Sequence, residues 1–341
     1  MLSILKKIGK TLGITVLVVI SLTIGLFVYV NLPVGPVNNN PQLGVTFSAR
    51  YSHDIGLDWK ANYIAILDDL GVRKIRIPVY WDLIEPQEGQ YDFADLDWQL
   101  QQAKVRNAEI ILTIGQKVPR WPECYIPQWT ANDVVKKKAA LLQMESTVVE
   151  RYKNDPEVKY WQVENEPFLD FGVCPTPDAS LLGSEVDLVK SLDPSRPVIV
   201  TDSGELSLWY KAASFGDIFG TTMYRTIWKK GFGYYEYPIG PRFFQLKHWL
   251  VNLIDHKDDA IVIELQAEPW VNGWTTSVAL SEQFKSMNPQ QLKTNVEYAK
   301  EVGFPEIYLW GAEWWYWLKT TQNHPELWDT AKELIKQNNG G

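Results

Sequence analysis

The sequence predicts an α/β fold: a closed (β/α)8 or TIM barrel, preceded by a single N-terminal transmembrane helix. Eight short apolar segments alternate with helical segments over about 300 residues. Their apolar runs are continuous, as expected for parallel strands that are buried on both faces. An open doubly wound sheet is the alternative. Such a sheet usually carries a glycine-rich turn after its first strand, and no GxGxxG motif stands there.

The N-terminal helix is predicted from an apolar run that covers residues 11–30, close to the ~20 residues a spanning helix needs. Lys6, Lys7 and Lys10 precede the run, and no basic residue follows until Arg50. Since positive flanks stay inside the cell, residues 1–10 should be cytoplasmic and the chain that follows the helix extracytoplasmic. A cleaved signal peptide is the alternative. The run ends in Asn-Leu-Pro, which is a poor cleavage site and favours an uncleaved signal anchor.

Residues 31–42 read as a linker, and residues 43–341 as one barrel domain. Strands are predicted where β-branched and aromatic residues cluster; the fourth stops at Pro167, which removes a backbone donor. In chain order the strands cover 43–49, 74–81, 109–115, the run from 158, 197–202, 218–224, 260–264 and 306–310. Helices are predicted from their periodicity and ends, with Gly71 closing the first. They cover 58–70, 95–105, 132–153, 184–192, 208–213, 243–255, 289–302 and 326–337.

Composition excludes some classes of function. The net charge of −8 is spread without a basic face, which argues against nucleic acid as a partner. The two cysteines and four histidines have no spacing typical of a zinc site, and no metal or organic cofactor is implied. Cys124 and Cys174 follow neighbouring strands, so outside the cytoplasm they could form a disulfide; two free thiols are the equal alternative. The 16 tryptophans offer flat faces suited to stacking on sugar rings.

Two glutamates carry the functional prediction. Glu166 ends the fourth strand and Glu264 ends the seventh, and in such barrels the active site lies at these carboxyl ends. Two carboxyl groups that face each other across a sugar ring can hydrolyse a glycosidic bond. Glu166 is predicted as the acid/base and Glu264 as the nucleophile of a retaining mechanism. The predicted substrate-binding residues share the same rim: Asn165, Arg76, Tyr224, Trp310, Trp121, Trp270, Gln266 and Glu313.

The two glutamates need different environments. Burial against Trp161, Phe168 and Trp121 should raise the pKa of Glu166 and keep it protonated. Arg76 and Tyr224 should instead favour the charged form of Glu264 through attraction and hydrogen bonding. Asn165 is suited to bind the hydroxyl next to the anomeric carbon.

Two other glutamates were weighed beside them. Glu268 competes with Glu264 as the nucleophile, and the run Ile-Val-Ile leading directly into Glu264 favours the latter. Glu164 should lie on the same face as Glu166, deeper in the barrel.

These motifs resemble those of the retaining glycoside hydrolases of the (β/α)8-barrel clan A, which includes cellulases and β-galactosidases. The resemblance rests on Trp-Gln-Val-Glu-Asn-Glu-Pro at 161–167, Trp-Asp-Leu-Ile-Glu-Pro at 81–86 and the strand-end Glu264, and it covers Leu43 to about Leu318. It implies an acid/base at Glu166, a nucleophile at Glu264, and sugar contacts from Arg76, Tyr224 and Trp310. Thr222 stands where many members have histidine, and Gln116 stands where another histidine is common.

The resulting prediction is an exported, membrane-anchored retaining β-glycosidase that acts on an oligo- or polysaccharide. A transglycosylase would use the same residues, and product analysis with an acceptor sugar would separate the two. A catalytically inactive sugar-binding barrel at the cell surface is a further alternative, and turnover of an aryl glycoside would exclude it. The sequence leaves open the sugar, the linkage, endo or exo action and the oligomeric state.

Overall fold

The computed structural model describes residues 2–35, 37, 40–130, 133–255 and 259–339. Three residues of the predicted linker (36, 38 and 39), the first residue of the predicted helix 132–153 and the last two residues of the chain lie outside these ranges.

Eight parallel strands close into a barrel in the order β1-β10-β9-β6-β5-β4-β3-β2. Their bounds are β1 Gln42–Thr46, β2 Lys74–Pro78, β3 Glu109–Ile114, β4 Val158–Val163, β5 Val198–Asp202, β6 Ile218–Met223, β9 Ala260–Gln266 and β10 Glu306–Trp310. Two further strands, β7 Thr226–Lys229 and β8 Gly233–Glu236, form an antiparallel hairpin outside the barrel. All eight predicted strands are therefore present, and β9 is the seventh strand of the barrel.

Helices surround the barrel and connect its strands. Their bounds are α1 Leu2–Val30, α2 Ala49–Asp54, α3 Trp59–Asp68, α4 Trp81–Ile84, α5 Ala94–Lys104, α6 Val134–Tyr152, α7 Ala179–Leu192, α8 Tyr210–Ala213, α9 Pro241–Asp255, α10 Leu280–Ser286, α11 Pro289–Val302, α12 Ala312–Thr321 and α13 Glu326–Asn339. Side chains cap several of them: Asp58, Asp133, Asp178 and Asn288 each accept from backbone N–H groups of the first turn.

The main core lies between the barrel and its helices, and a smaller cluster that includes Ile111, Ile199, Ile263 and Tyr308 fills the barrel interior. At the amino-terminal end of the strands, Lys74 pairs with Glu109 and Glu306. The carboxyl end carries a different polar layer, built on Arg76. The two ends of the barrel are thus chemically distinct, and the apolar cluster separates them.

The structure differs from the prediction mainly in the loops. The first strand ends at Thr46 rather than at 49, because Ser48 turns the chain and caps α2, accepting from Tyr51 N. Helix α7 begins at Ala179, five residues before the predicted start at 184, because Asp178 provides the cap. The hairpin β7–β8 and helices α2, α4, α10 and α12 were not predicted. Each is short or lies within a stretch that the sequence assigned to a loop.

Helix α1 is longer than predicted and begins at Leu2 rather than at 11. Within it, Lys7–Val30 has a mean hydropathy of 2.5 and is the only segment of the described residues long and apolar enough to cross a membrane. The helix is exposed up to Val30, where it meets the barrel. Asn31 Nδ2 donates to Pro238 O at 3.3 Å, and Arg242 Nε donates to Leu32 O at 3.3 Å.

Candidate active site

A bulge in β9 turns Glu264 into the barrel. On β6, Thr221 pairs with Val262 and the next residue, Thr222, pairs with Glu264, so β9 carries one extra residue at this point. Ile263 is part of the apolar cluster inside the barrel, and strict alternation would therefore point Glu264 outward. The bulge puts both side chains inside, which is the re-aiming of a side chain that bulges commonly perform next to active sites.

Arg76 organises the polar layer around Glu264. Its side chain is fully buried and points inward from β2. The guanidinium donates to Glu264 Oε1 at 2.6 Å, to Asn165 Oδ1 at 2.7 Å and to Gln162 Oε1 at 2.7 Å. On the other side, Tyr224 OH donates to Glu264 Oε2 at 2.9 Å. Both carboxylate oxygens of Glu264 thus accept hydrogen bonds, one of them from a cation.

Glu166 has the opposite environment. It follows β4 with a backbone φ of +45°, and its N–H donates to Thr201 Oγ1 at 2.8 Å. Among the described residues, the one hydrogen bond to its carboxyl group comes from Thr222 Oγ1, at 3.1 Å from Oε1. Burial raises the pKa of Glu166 well above its usual range, and the negative charges of Glu264 and Glu123 raise it further. Glu166 is therefore held as a neutral acid.

Thr222 shows how close the two glutamates lie. Its hydroxyl contacts Glu166, and its backbone pairs in register with Glu264 on the neighbouring strand. The position where many clan A members have histidine thus contacts the acid through a hydroxyl group. Both glutamates are more than 90% buried, at 7% and 3% exposure. The structure therefore brings the two predicted carboxyl groups together at one end of the barrel.

A third carboxyl group, Glu123, lies beside this pair. Asn165 Nδ2 donates to Glu123 Oε2 at 3.3 Å. Burial, followed by the charge of Glu264, raises the pKa of Glu123 to about 8. Glu123 is not among the site residues predicted from the sequence, because its loop has no strand or helix pattern to orient it.

A cavity of about 390 Å³ lies next to these groups; Glu166 and Glu264 are not among its lining residues, and the wall reaches them through their neighbours. Tyr224 and Glu123, which contact Glu264 and Asn165, form part of its wall. Much of the rest is aromatic: Tyr51, Trp121, Phe171, Trp270, Trp274 and Trp310. Trp121 is 60% exposed, which leaves its ring free at the mouth. The volume and the aromatic lining fit a sugar-binding cleft.

One wall of the cavity is held by Arg120. Its guanidinium lies between the rings of Tyr51 and Trp310, at 3.8 and 4.1 Å from their centroids. It donates to Glu268 Oε1 and to Glu313 Oε2, and Trp310 Nε1 also donates to Glu268 Oε1 at 2.8 Å. Glu268 thus belongs to a charge cluster with Arg120 and Glu313, separate from the pair of Arg76 and Glu264.

Some predicted site residues lie elsewhere. Gln266 bonds only to backbone, accepting from Arg225 N and Thr226 N and donating to Thr226 O, so it supports the loop after β6. Glu313 is fully buried beneath Arg120 and accepts from Ser48 N at 2.6 Å. Neither side chain lines the cavity. Both were predicted from their place near strand ends, which does not show where a side chain points.

The predicted apolar surroundings of Glu166 are also partly wrong. Trp161 points outward from the barrel, and its indole N–H donates to Asp193 Oδ2 at 3.0 Å. Phe168 packs against Phe215 rather than over the site. Trp121 alone of the three lines the cavity. Burial of Glu166 by the barrel itself replaces the expected aromatic shell.

Glu164 does not lie deeper in the barrel on the face of Glu166. A positive φ of +57° ends the strand alternation there, and the carboxylate accepts from the backbone of Gln116 and Lys117 at 2.9 and 2.7 Å. It faces the buried glutamates of α6 and α7, Glu145 and Glu185, whose charges act on its own. The group thus lies outside the barrel, between β4 and these helices.

The loop that carries Arg120, Trp121 and Glu123 is fastened at both sides. Lys117 and Cys124 form an isolated antiparallel bridge, and Cys124 is joined to Cys174 by a disulfide. The second loop approaches so closely that a Cβ at Gly172 would lie 2.7 Å from the Cβ of Glu123. The side chains over the site are therefore held by two cross-linked loops.

Comparisons with known proteins agree with this geometry. The glycoside hydrolase family 42 model, described as Beta-galactosidase, matches residues 58–135. The chain is 28% identical to Beta-galactosidase LacA of Lactobacillus acidophilus over 104 residues, 25% of this chain and 16% of that protein. It is also 28% identical to Beta-galactosidase BgaA of Clostridium cellulovorans over 127 residues, 30% of this chain and 18% of that protein. Both matches thus cover less than a fifth of these relatives.

Solved structures extend the likeness to most of the chain. A β-galactosidase from the Antarctic haloarchaeon Halorubrum lacusprofundi superposes with a TM-score of 0.60 at 16% identity, over 86% of this chain and 58% of that one. A GH5_18 protein from Bifidobacterium longum, crystallised with Manβ1-4GlcNAc, gives a TM-score of 0.58 at 13% identity, over 88% and 79% of the two chains. At these identities the likeness establishes the fold.

Barrel, site and family match together define the class. The resemblance to the (β/α)8-barrel glycoside hydrolases of clan A is confirmed. Within that class, the family model that matches residues 58–135 and both curated relatives are described as β-galactosidases.

Proposed function

We propose that this chain is a retaining β-glycosidase in which Glu166 is the acid/base and Glu264 the nucleophile. The observation that carries the proposal is the contrast between two neighbouring carboxyl groups. Arg76 and Tyr224 donate to the two oxygens of Glu264, whereas Glu166 is buried, has a raised pKa and accepts only from the Thr222 hydroxyl among the described residues. Carboxyl groups whose environments differ in this way take the roles of acid and nucleophile.

The reaction follows from these roles in two displacements. Glu264 attacks the anomeric carbon, and the bond to the leaving oxygen breaks while Glu166 transfers its proton to that oxygen. Glu166, now ionised, then takes a proton from water as the water oxygen attacks the anomeric carbon and releases Glu264. The configuration at the anomeric carbon is retained, and Glu166 ends the cycle protonated again.

We propose a β-galactoside as the substrate, since the matched family and both curated relatives are described as β-galactosidases. A β-mannoside is the second candidate, because a structural neighbour was crystallised with Manβ1-4GlcNAc. A panel of aryl β-glycosides tests both. We expect the galactoside to have the highest kcat/KM; preference for another sugar would overturn the substrate and leave the mechanism standing.

The mechanism is tested by removing the nucleophile. Glu264→Ala should lose hydrolysis of an aryl β-glycoside, and azide should restore turnover with an α-glycosyl azide as product, because the anion occupies the vacated space. Glu268→Ala is the matched comparison on the same strand end. If Glu264→Ala hydrolysed normally while Glu268→Ala did not, the assignment of the nucleophile would be wrong.

We also propose that α1 anchors residues 43–341, as one extracytoplasmic domain, to a membrane. Helix α1 supplies the length and hydropathy, and its carboxyl end contacts the start of α9. The far half of α9 exposes a row of large apolar side chains: Trp249, Leu250, Leu253 and Ile254. Such a patch fits a surface that lies against lipid. The full chain should stay with membranes through an alkaline carbonate wash, and release into the soluble fraction would contradict the anchor.

A further inference from the structure

A third carboxyl group of the site has no role in the two displacements. Glu123 is only 6% exposed, and it forms part of the cavity wall. Its Oε2 accepts from Asn165 Nδ2 at 3.3 Å, and Oε1 has no hydrogen-bond partner among the described residues. Glu123 Oε1 is not among the buried unpaired polar atoms, so this oxygen is open to the cavity and is available to accept a hydrogen bond from a ligand there.

We propose that Glu123 is a specificity residue that, together with Asn165, binds the hydroxyl group on the carbon next to the anomeric carbon. This inference rests on the proposed function. Arg76 holds Asn165 Oδ1 at 2.7 Å, so the amide Nδ2 must point to the side where Glu123 stands. A hydroxyl group can accept one hydrogen bond and donate another. Asn165 Nδ2 can donate to its oxygen, and Glu123 can accept its hydrogen. The substrate class is therefore a glycoside with a free hydroxyl at this carbon.

The surrounding charges keep this recognition compatible with the nucleophile. Burial and the charge of Glu264 raise the pKa of Glu123 to about 8, although Lys117 and Arg76 act to lower it. The ionisable groups of Glu166 and Tyr125 also lie close enough to interact with Glu123. At neutral pH Glu123 is thus largely neutral. A neutral acid can both accept from and donate to a hydroxyl group.

The backbone holds Glu123 in place without help from its side chain. Its φ is +75°, its N–H donates to Arg120 O at 2.7 Å, and its carbonyl accepts from Val118 N at 2.9 Å. The adjoining Cys124 carries the disulfide to the second loop. Replacing the carboxyl group should therefore change recognition with little effect on the loop, which makes the residue suitable for a test.

The test is a double-mutant cycle between residue and substrate. We would measure kcat/KM of the full chain with an aryl β-glycoside and its 2-deoxy analogue, for the native protein, Glu123→Gln and Glu123→Ala. Glu123→Ala should lower kcat/KM for the parent glycoside by about 10- to 100-fold and change that of the 2-deoxy analogue by less than about threefold. Glu123→Gln stays neutral and keeps an acceptor, so it should retain most of the activity at pH 7. Equal losses on both substrates would overturn the proposal.

A pH profile and a matched control separate recognition from structure. In the native protein the preference for the parent glycoside over its 2-deoxy analogue should increase as Glu123 ionises near pH 8, because a carboxylate accepts more strongly than a neutral acid, and Glu123→Gln should lack this increase. Glu145→Gln changes a buried glutamate outside the cavity, and it should leave the discrimination between the two substrates unchanged. A profile unaffected by Glu123→Gln would count against the proposal.

Binding distinguishes this proposal from the proposed function. Tryptophans line the cavity, so quenching of tryptophan fluorescence can report binding of the free sugar and of its 2-deoxy analogue. The dissociation constants of both sugars, measured for the native protein and the Glu123 variants, give the same double-mutant cycle without turnover. If the sugars bind with the expected coupling and no glycoside is hydrolysed, the catalytic proposal fails and the role of Glu123 stands. If hydrolysis occurs and neither cycle shows coupling, the role of Glu123 fails alone.

Discussion

The buried guanidinium of Arg76 gives the sharpest prediction about the site. Arg76→Met removes hydrogen bonds to Glu264, Asn165 and Gln162, at 2.6–2.7 Å each, from a fully buried position. Removing one partner of a buried ion pair leaves an uncompensated charge, which costs about 3–5 kcal/mol. We expect Arg76→Met to lower the free energy of unfolding by an amount in this range, because Glu264 is then a buried anion with only Tyr224 as a donor.

The cycle with Glu264→Gln isolates the charge. In the native background Glu264→Gln should destabilise the protein, because Arg76 loses its counter-ion. In the Arg76→Met background the same change removes the stranded anion, so it should stabilise the protein by about 1–3 kcal/mol. The sign of the effect of Glu264→Gln therefore inverts between the two backgrounds.

The assay is denaturant unfolding of the full chain in detergent micelles, followed by tryptophan fluorescence. Unchanged m-values across the four proteins would show that the same surface is exposed in each. Arg76→Lys serves as the control that keeps the charge and loses the planar fork, and it should fall between native and Arg76→Met. If Glu264→Gln destabilises both backgrounds equally, Arg76 does not act through the charge of Glu264, and the reasoning about the nucleophile's environment is refuted.

Three further predictions concern the surroundings of the site. Burial raises the pKa values of Glu145, Glu185 and Glu164, so their contribution to stability is present at low pH and is lost as pH rises through the folded-state pKa values. The melting temperature of Glu145→Gln, relative to that of the native protein, should therefore be higher at pH 9 than at pH 5. The same difference in melting temperature at both pH values would contradict this. A Cβ at Gly311, where φ is +144°, would lie 2.7 Å from the Cβ of Glu268. Gly311→Ala should therefore lower the free energy of unfolding by about 1–3 kcal/mol. A variant as stable as the native protein would contradict this. The disulfide between Cys124 and Cys174 spans a sequence separation of 50, so replacing both cysteines by serine should lower the free energy of unfolding by about 2–4 kcal/mol. The stability of this variant should not depend on reductant. If the native protein melts at the same temperature with and without reductant, the disulfide does not stabilise it.

The barrel could be predicted because its signals are local. Each strand is a short run of apolar and β-branched residues, such as Ile110 to Ile114, and each is buried on both faces. The strand ends placed Arg76, Asn165, Glu166, Tyr224 and Glu264 at one rim, and the structure brings these five together. Periodicity, strand order and the polar residues that follow were sufficient for this part.

The remaining features depend on contacts between distant segments. The bulge that turns Glu264 inward is a register shift against β6 and β10, and nothing in 260–266 alone encodes it. Trp161 and Gln266 are paired with Asp193 and with the backbone after β6, and such partners decide whether a residue serves the site or the scaffold. The roles of Arg120 and Glu123 arise from a loop fixed by a disulfide, which has no periodic pattern to orient its side chains.

The most direct test of the account is to trap the covalent intermediate. A 2-deoxy-2-fluoro β-glycoside with a good leaving group should inactivate the enzyme, because the fluorine slows both displacements while the good leaving group speeds only the formation of the glycosyl-enzyme. Peptide mass spectrometry should then find the fluorosugar on Glu264. A label on Glu268, Glu123 or Glu166 with Glu264 unmodified would contradict the central claim that Glu264 is the nucleophile and Glu166 its neighbouring acid.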